Sequence, residues 1–278
     1  MTTVRPARLV AADVTIGYGE RVVVEGLDLA VPDGRVTVIV GANACGKSTL
    51  LRGMARLLRP HSGAVLLDGE AVHHRSTREL AKVLGLLPQQ PVTPDGITVV
   101  DLVGRGRHPH QGLLGRWTSD DERAVTEALV ATGTLDLADR PVDELSGGQR
   151  QRVWVAMALA QETDVLLLDE PTTYLDLAHQ VDMLDLLTDL NRSRGTTIVM
   201  VLHELNLAAR YADHLVAMKA GRVVAEGAPR DVVTEEVVRD VFGLTNRVVT
   251  DPVSLTPLVL PAGRHHPPVP EPEGALRP

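Results

Sequence analysis

The sequence is short of cysteine, of aromatic residues, of positive charge and of long apolar runs. Its single cysteine, Cys45, rules out an internal disulfide and suits a reducing cytosol. Aromatic residues are 2% of the chain, so the 44% of hydrophobic residues must build a core from Val, Leu, Ala and Ile. A net charge of −8 disfavours non-specific attachment to nucleic acid or to an anionic membrane surface. No apolar run approaches the roughly 18 residues of a membrane-spanning helix. Residues 1–10 contain no apolar segment of the secretory kind, so no signal peptide is expected. A chain of this make-up is expected to reach a membrane only by binding another protein there. Its 278 residues allow one large domain or two small ones.

What the sequence does have is concentrated in Gly41-Ala42-Asn43-Ala44-Cys45-Gly46-Lys47-Ser48-Thr49, a match to G-x-x-x-x-G-K-[ST]. Val36-Thr37-Val38-Ile39-Val40 precedes it and reads as a buried strand. Leu50, Leu51, Met54, Leu57 and Leu58 follow at helical spacing and are expected on one helix face. Strand, glycine-bearing loop and helix together wrap backbone N–H groups around phosphates. Lys47 is placed to reach the β- and γ-phosphates, and is expected to face solvent in the empty loop. The Ser48 hydroxyl is placed to bind Mg²⁺.

Before this loop, residues 9–16 and 21–29 read as two strands around Gly17-Tyr18-Gly19-Glu20, a hairpin. Tyr18 at its tip is either an ordinary turn tyrosine or a flat surface for a base. Short strands are expected at 63–68 and 83–87, the second ending in Pro88-Gln89-Gln90. Residues 91–118 turn rich in Gly, Pro and His, with a short helix at 99–103. Ser119 with Glu122 reads as the capping box of a further helix. Ser146-Gly147-Gly148-Gln149 opens another helix, either a plain capped start or a second place for an anion among free N–H groups. The stretch 90–160 thus reads as a helical insertion in a βαβ sheet. Beyond it come strands at 165–168, 196–202 and 214–218, and helices after the first two and at 234–241. The tail, 263–278, is rich in proline and charge and is expected to be disordered.

Four apolar strands end in polar residues: Gly41 with Lys47, then Gln89, Asp169 with Glu170, and His203. In a parallel βα sheet these ends line one edge, where open α/β sheets bind ligands. Two adjacent carboxylates closing a buried strand call for a cation. With Ser48 near, that cation is Mg²⁺, held by Asp169 through water. Glu170 is then the residue to polarise an attacking water, with Gln89 and His203 at the γ-phosphate.

On these residues the chain resembles the ATP-binding subunits of ATP-binding-cassette (ABC) transporters over residues 8–262. The resemblance implies a P-loop NTPase α/β fold: a RecA-like mixed sheet, an antiparallel β subdomain and a helical subdomain inserted at about 90–160. It identifies Tyr18 with the adenine-stacking aromatic, residues 41–49 with Walker A and Gln89 with the Q-loop glutamine. Leu145-Ser146-Gly147-Gly148-Gln149 is similar to the LSGGQ signature, residues 165–169 to Walker B, Leu175-Asp176 to the D-loop and His203 to the switch histidine. ATP and Mg²⁺ follow as cofactors, with Glu170, His203 and Lys47 catalytic and Ser48, Gln89 and Asp169 at the metal. Tyr18, Gly41 to Thr49, Gln89, Ser146 to Gln149 and Asp176 are the implied nucleotide contacts. One departure is Ala44, where the family usually has glycine. Should that position need φ > 0, the methyl costs roughly 1 kcal/mol.

The resemblance also implies partners: a second copy bound head to tail, integral-membrane permease subunits and, indirectly, an extracytoplasmic siderophore-binding protein, with no nucleic acid. The chain is then expected on the cytoplasmic face of the membrane. A soluble ABC protein acting on ribosomes or DNA usually has two cassettes or long coiled coils, and neither is present here. Gly106-Arg107-His108-Pro109-His110, the stretch 172–180 and Asp251-Pro252-Val253 with Thr256-Pro257-Leu258-Val259 are similar to ATPases of iron-siderophore importers, a group that includes haem and cobalamin systems. By resemblance, the region 99–117 and the C-terminal third argue against an exporter subunit. A ferric siderophore is the expected cargo, and residues 99–117 the expected groove for a permease helix.

Overall fold

The computed structural model describes residues 7–112 and 115–265. Of the tail expected to be disordered, only 263–265 lie among the described residues; the rest falls outside them.

The chain opens with β1 (Leu9–Tyr18) and β2 (Arg21–Val31), paired antiparallel across a turn at Gly19 and Glu20. The six residues of β3 (Val36–Gly41) are all buried and lead through the phosphate loop into α1 (Lys47–Met54). Then come β4 (Ser62–Leu67), β5 (Glu70–Ala71), α2 (Thr77–Val83) and β6 (Leu84–Leu87). Three helices follow without an intervening strand: α3 (Val99–Gly104), α4 (Ser119–Ala131) and α5 (Gly147–Ala160). The chain returns to the sheet with β7 (Val165–Asp169), α6 (Leu177–Arg194), β8 (Thr197–Val201), α7 (Leu205–Tyr211) and β9 (His214–Lys219). It ends with β10 (Arg222–Gly227), α8 (Pro229–Val232), α9 (Glu235–Phe242), β11 (Asn246–Thr250) and β12 (Pro257–Pro261).

The main sheet has the order β10-β9-β3-β8-β7-β6, parallel except where β10 pairs antiparallel with β9. A second, antiparallel sheet has the order β2-β1-β4-β5. The central strands are continuous apolar runs because both of their faces are covered. Alternate residues of β3 serve different cores: Val36, Val38 and Val40 face the helices, and Ile39 faces α1 and the antiparallel sheet. Ile198 and Met200 against Val199 and Val201 repeat this division on β8. The fold is the expected P-loop NTPase architecture with an antiparallel β layer and an inserted helical layer. Both tryptophans of the chain sit in that helical layer, Trp154 buried in α5 and Trp117 at 49% exposure before α4.

Three local expectations are corrected. Helix α1 ends at Met54, so Leu57 leaves the apolar face and is 62% exposed; Arg56, at φ 63°, turns the chain away. The capping box of α4 is Thr118 with Asp121, one residue ahead of Ser119 and Glu122. Both pairs fit the pattern, and burial of Asp121 against Arg107 selects the first. Helix α2 was not expected, although Ser76 and Glu79 form its reciprocal cap.

Candidate functional site

The C-terminal ends of β3, β6, β7 and β8 deliver their polar residues to one cleft of about 620 Å³. Tyr18, Asn43 to Thr49, Gln89, Glu170 and His203 line it, together with Arg21 and Val23. Arg21 was not foreseen; its place opposite Tyr18 in the hairpin register was the available signal.

The loop's shape is set by backbone crowding. A Cβ on Gly41 would lie 2.3 Å from the carbonyl oxygen of Met218, and Gly46 sits at φ 108°. Ala44 adopts φ 60°, the left-handed conformation that glycine takes without penalty. Lys47 departs from the expectation of a solvent-facing side chain. It is 5% exposed and its Nζ donates to the carbonyls of Gly41 at 2.9 Å and Ala42 at 3.0 Å. Those carbonyls turn inward, so the ammonium finds acceptors there and not in water.

Ser48 Oγ donates to Oδ1 of Asp169 at 2.9 Å. The other carboxylate oxygen, Oδ2, is buried and has no hydrogen-bond partner. Burial raises the Asp169 pKa, the Ser48 hydrogen bond opposes this, and the neighbouring Glu170 charge adds to it. An unsatisfied oxygen on a buried carboxylate, next to a hydroxyl and a phosphate loop, fits a Mg²⁺ ion. Among the described residues no group of three or more His, Cys, Asp or Glu could hold a metal by itself.

Glu170 follows β7 at φ 57°, a backbone outlier for a non-glycine residue. Its carboxylate is held from three sides. Gln89 Nε2 donates to Oε2 at 2.7 Å, Thr173 Oγ1 donates to the same oxygen at 3.3 Å, and His203 Nε2 lies 2.5 Å from Oε1. Gln89 therefore engages Glu170 and not the Ser48–Asp169 pair. The ring of Tyr18 is 45% exposed at the cleft mouth, its hydroxyl accepting from Arg52 Nη1 at 3.0 Å.

Ser146 to Gln149 and Asp176 do not line this cleft. Ser146 caps α5, its Oγ accepting from Gln149 N–H at 3.2 Å while Gln149 Oε1 accepts from Ser146 N–H at 3.1 Å. Asp176 caps α6 and pairs with His179 at 2.7 Å. Gly147 and Gly148 pack against Tyr174 and Leu175, which joins the two loops outside the cleft.

Phosphate loop, paired carboxylates and mixed sheet define a P-loop nucleotide-binding protein. The ABC transporter family pattern matches residues 24–173. The chain is 54% identical over 261 residues to the ferric enterobactin transport ATP-binding protein FepC of Escherichia coli, covering 94% of this chain and 96% of that one. In structure it is similar to a metal-chelate type ABC transporter in an inward-facing conformation, with a TM-score of 0.79 at 28% identity over 94% of this chain and 99% of the other. It is also similar to the cassette MJ0796 in a dimeric post-hydrolysis state bound to ADP and Pi, with a TM-score of 0.71 at 28% identity over 79% of this chain and 98% of that one. The chain belongs to the ABC transporter family and is one of its ATP-binding, ATP-hydrolysing cassettes.

Proposed function

We propose that the chain powers uptake of a ferric siderophore through a separate membrane permease, from the cytoplasmic face. The observation that carries the ATPase chemistry is Glu170, aimed by Gln89, Thr173 and His203 beside the Ser48–Asp169 pair. The names of the relatives support the cargo, the ferric enterobactin protein among them. The expected domain is residues 8–262 with its helical part at about 90–160, followed in sequence by the proline-rich stretch 263–278.

In this reading Tyr18 stacks on adenine and Gly41 to Thr49 cradle the phosphates. Lys47 exchanges its carbonyl partners for phosphate oxygens. Ser48 and Asp169 would hold Mg²⁺, with Gln89 reaching it on release from Glu170, and the ion would neutralise phosphate charge. Glu170 orients and polarises the attacking water, and His203 keeps that carboxylate aimed and faces the γ-phosphate. Ser146 to Gln149 and Asp176 stand outside the lining of the chain's own cleft. They therefore serve a second copy, in a symmetric head-to-tail pair. Among the described residues no helix is long and apolar enough to cross a membrane. Contact with the bilayer runs through a permease in this reading, which the names of the transport ATP-binding relatives support. An extracytoplasmic siderophore-binding protein delivers the cargo on the far side, and nucleic acid has no part.

The test is uptake in a strain lacking this chain, with ferric siderophore, haem and cobalamin supplied separately. Ferric siderophore uptake is lost, restored by the wild-type chain and not by Glu170→Gln. Intact siderophore uptake with loss of cobalamin uptake overturns the cargo.

A further inference from the structure

The hairpin of β11 and β12 grips α7, the helix that begins two residues after His203. Two side chains one helical turn apart, Asn206 and Arg210, make the grip. Asn206 Nδ2 donates to the carbonyl of Val259 at 3.2 Å, and its Oδ1 accepts from Val259 N–H at 2.8 Å. The side-chain amide thus pairs with the outer edge of β12 as another strand would. Arg210 Nη2 reaches Asp251 Oδ2 at 2.5 Å. Asp251 itself is built into the turn: Oδ1 accepts from Val253 N–H at 2.9 Å and Oδ2 from Ser254 Oγ at 2.7 Å. Its backbone N–H donates to Thr256 O at 2.8 Å. The Arg210 hydrogen bond, with those from Val253 and Ser254, holds the Asp251 carboxyl well below the ordinary carboxylate range.

The local structure of α7 cannot do this work. The helix has seven residues, below the length at which helices persist without packing. Its N-cap, Glu204, makes no side-chain capping hydrogen bond. On its strand side His203 follows Leu202, whose N–H donates to the carbonyl of Ile39 at 3.3 Å; on its helix side no cap side chain fixes it. The far end of α7 is tied to α6 through Tyr211, whose hydroxyl donates to Asp185 at 2.8 Å. Asn206 is the side-chain hydrogen-bonding anchor on α7 nearest His203 among the described residues.

We infer that Asn206, with Arg210 and Asp251, is a positioning residue for ATP hydrolysis: the terminal hairpin sets α7, and α7 sets the His203 imidazole against Glu170. This rests on the reading of His203 given above. No residue of the hairpin lines the cleft, so its loss should reduce turnover and leave ATP binding alone.

The experiment measures steady-state ATP hydrolysis by the full chain for Asn206→Ala, His203→Ala and the double variant, with ATP affinity and melting temperature alongside. Asn206→Ala should lower kcat about tenfold, less than the roughly 100-fold that a 1 Å misplacement can cost, with KM for ATP within about twofold. On the His203→Ala background the same substitution should cost nothing further. Should Asn206→Ala not fold, Arg210→Met serves in the same cycle, and Arg210→Lys should restore most of the turnover. Additive losses in the double variant, or an equal rise of KM, overturn the inference while leaving His203 as assigned. Unchanged hydrolysis in His203→Ala alone overturns the reading of His203 and the inference with it.

Discussion

Ser48 and Asp169 meet at 2.9 Å across 121 positions of sequence, and the contact leaves Asp169 Oδ2 buried without a partner. Without a cation the arrangement is a liability, since a buried carboxylate oxygen with no donor raises the free energy of the native state. The raised pKa of Asp169, caused first by burial, carries the same sign. For a carboxyl whose folded pKa lies above its unfolded value, ionisation destabilises the fold once pH rises past the unfolded value.

Asp169→Asn should therefore melt higher than wild type when no nucleotide is present, by about 2–4 °C for each kcal/mol relieved. Addition of Mg²⁺ with ATP should raise the wild-type midpoint by more than that of the variant, which keeps the loop and Tyr18 contacts but loses the metal's carboxylate. Thermal scans with ATP alone, Mg²⁺ alone and both decide it. A variant that melts lower than wild type without ligand counts against the strain at Oδ2.

Glu170→Gln should keep ATP binding and lose turnover by roughly 100-fold or more, because the amide cannot accept a proton from water. Two chains should then accumulate as a stable pair with ATP and Mg²⁺. Sizing chromatography reads the outcome directly. A monomer at high concentration, or undiminished hydrolysis, sinks the assignment.

Ala44 stands at φ 60°, where its methyl costs roughly 1 kcal/mol. Ala44→Gly relieves that strain and gives up part of the gain to greater freedom in the unfolded chain. The expected variant lies within about 1 kcal/mol of wild type, on the stable side. Urea midpoints measure it, and a loss of about 1 kcal/mol, as for Ala→Gly inside a helix, speaks against strain in the loop.

Arg107 and Asp121 form a buried ion pair at 2.9 Å, with side chains 5% and 4% exposed, and Arg107 also reaches Glu162. Burial works against ionisation of Asp121, but the hydrogen bonds from Arg107 and Thr118 outweigh it and hold its pKa down. A depressed carboxyl stabilises the fold above its unfolded pKa, and that contribution is lost as pH falls through the folded value. Arg107→Met strands the carboxylate and should cost about 3–5 kcal/mol near neutrality. The gap to wild type should narrow on acidification through the ordinary carboxylate range. Denaturant midpoints across that range test it, and a gap independent of pH removes the ion pair as the cause.

Much of the site was legible because strand ends are legible. Four apolar runs, each stopped by a polar residue, place Lys47, Gln89, Glu170 and His203 on one edge, and they do share one cleft. What escaped depends on contacts that hydrophobic periodicity does not encode, some of them local and some distant in sequence. The inward turn of Lys47 follows from the Gly41 and Ala42 carbonyls. The choice of Thr118 over Ser119 follows from Arg107. The support that Val259 and Asp251 lend to α7 is a tertiary fact with no periodicity of its own. Helix α2 is a different case, since Ser76 and Glu79 carry the capping-box pattern in the sequence itself.

The placement of the two tryptophans makes the chain its own fluorescent reporter. Neither indole lines the nucleotide cleft, and both belong to the helical layer, Trp154 buried in α5 and Trp117 half in water beside Gly104. A change of emission on adding nucleotide would then record movement of that layer and not direct contact with the base. An aqueous quencher would separate the two signals, dimming Trp117 and sparing Trp154, with no label attached to the protein.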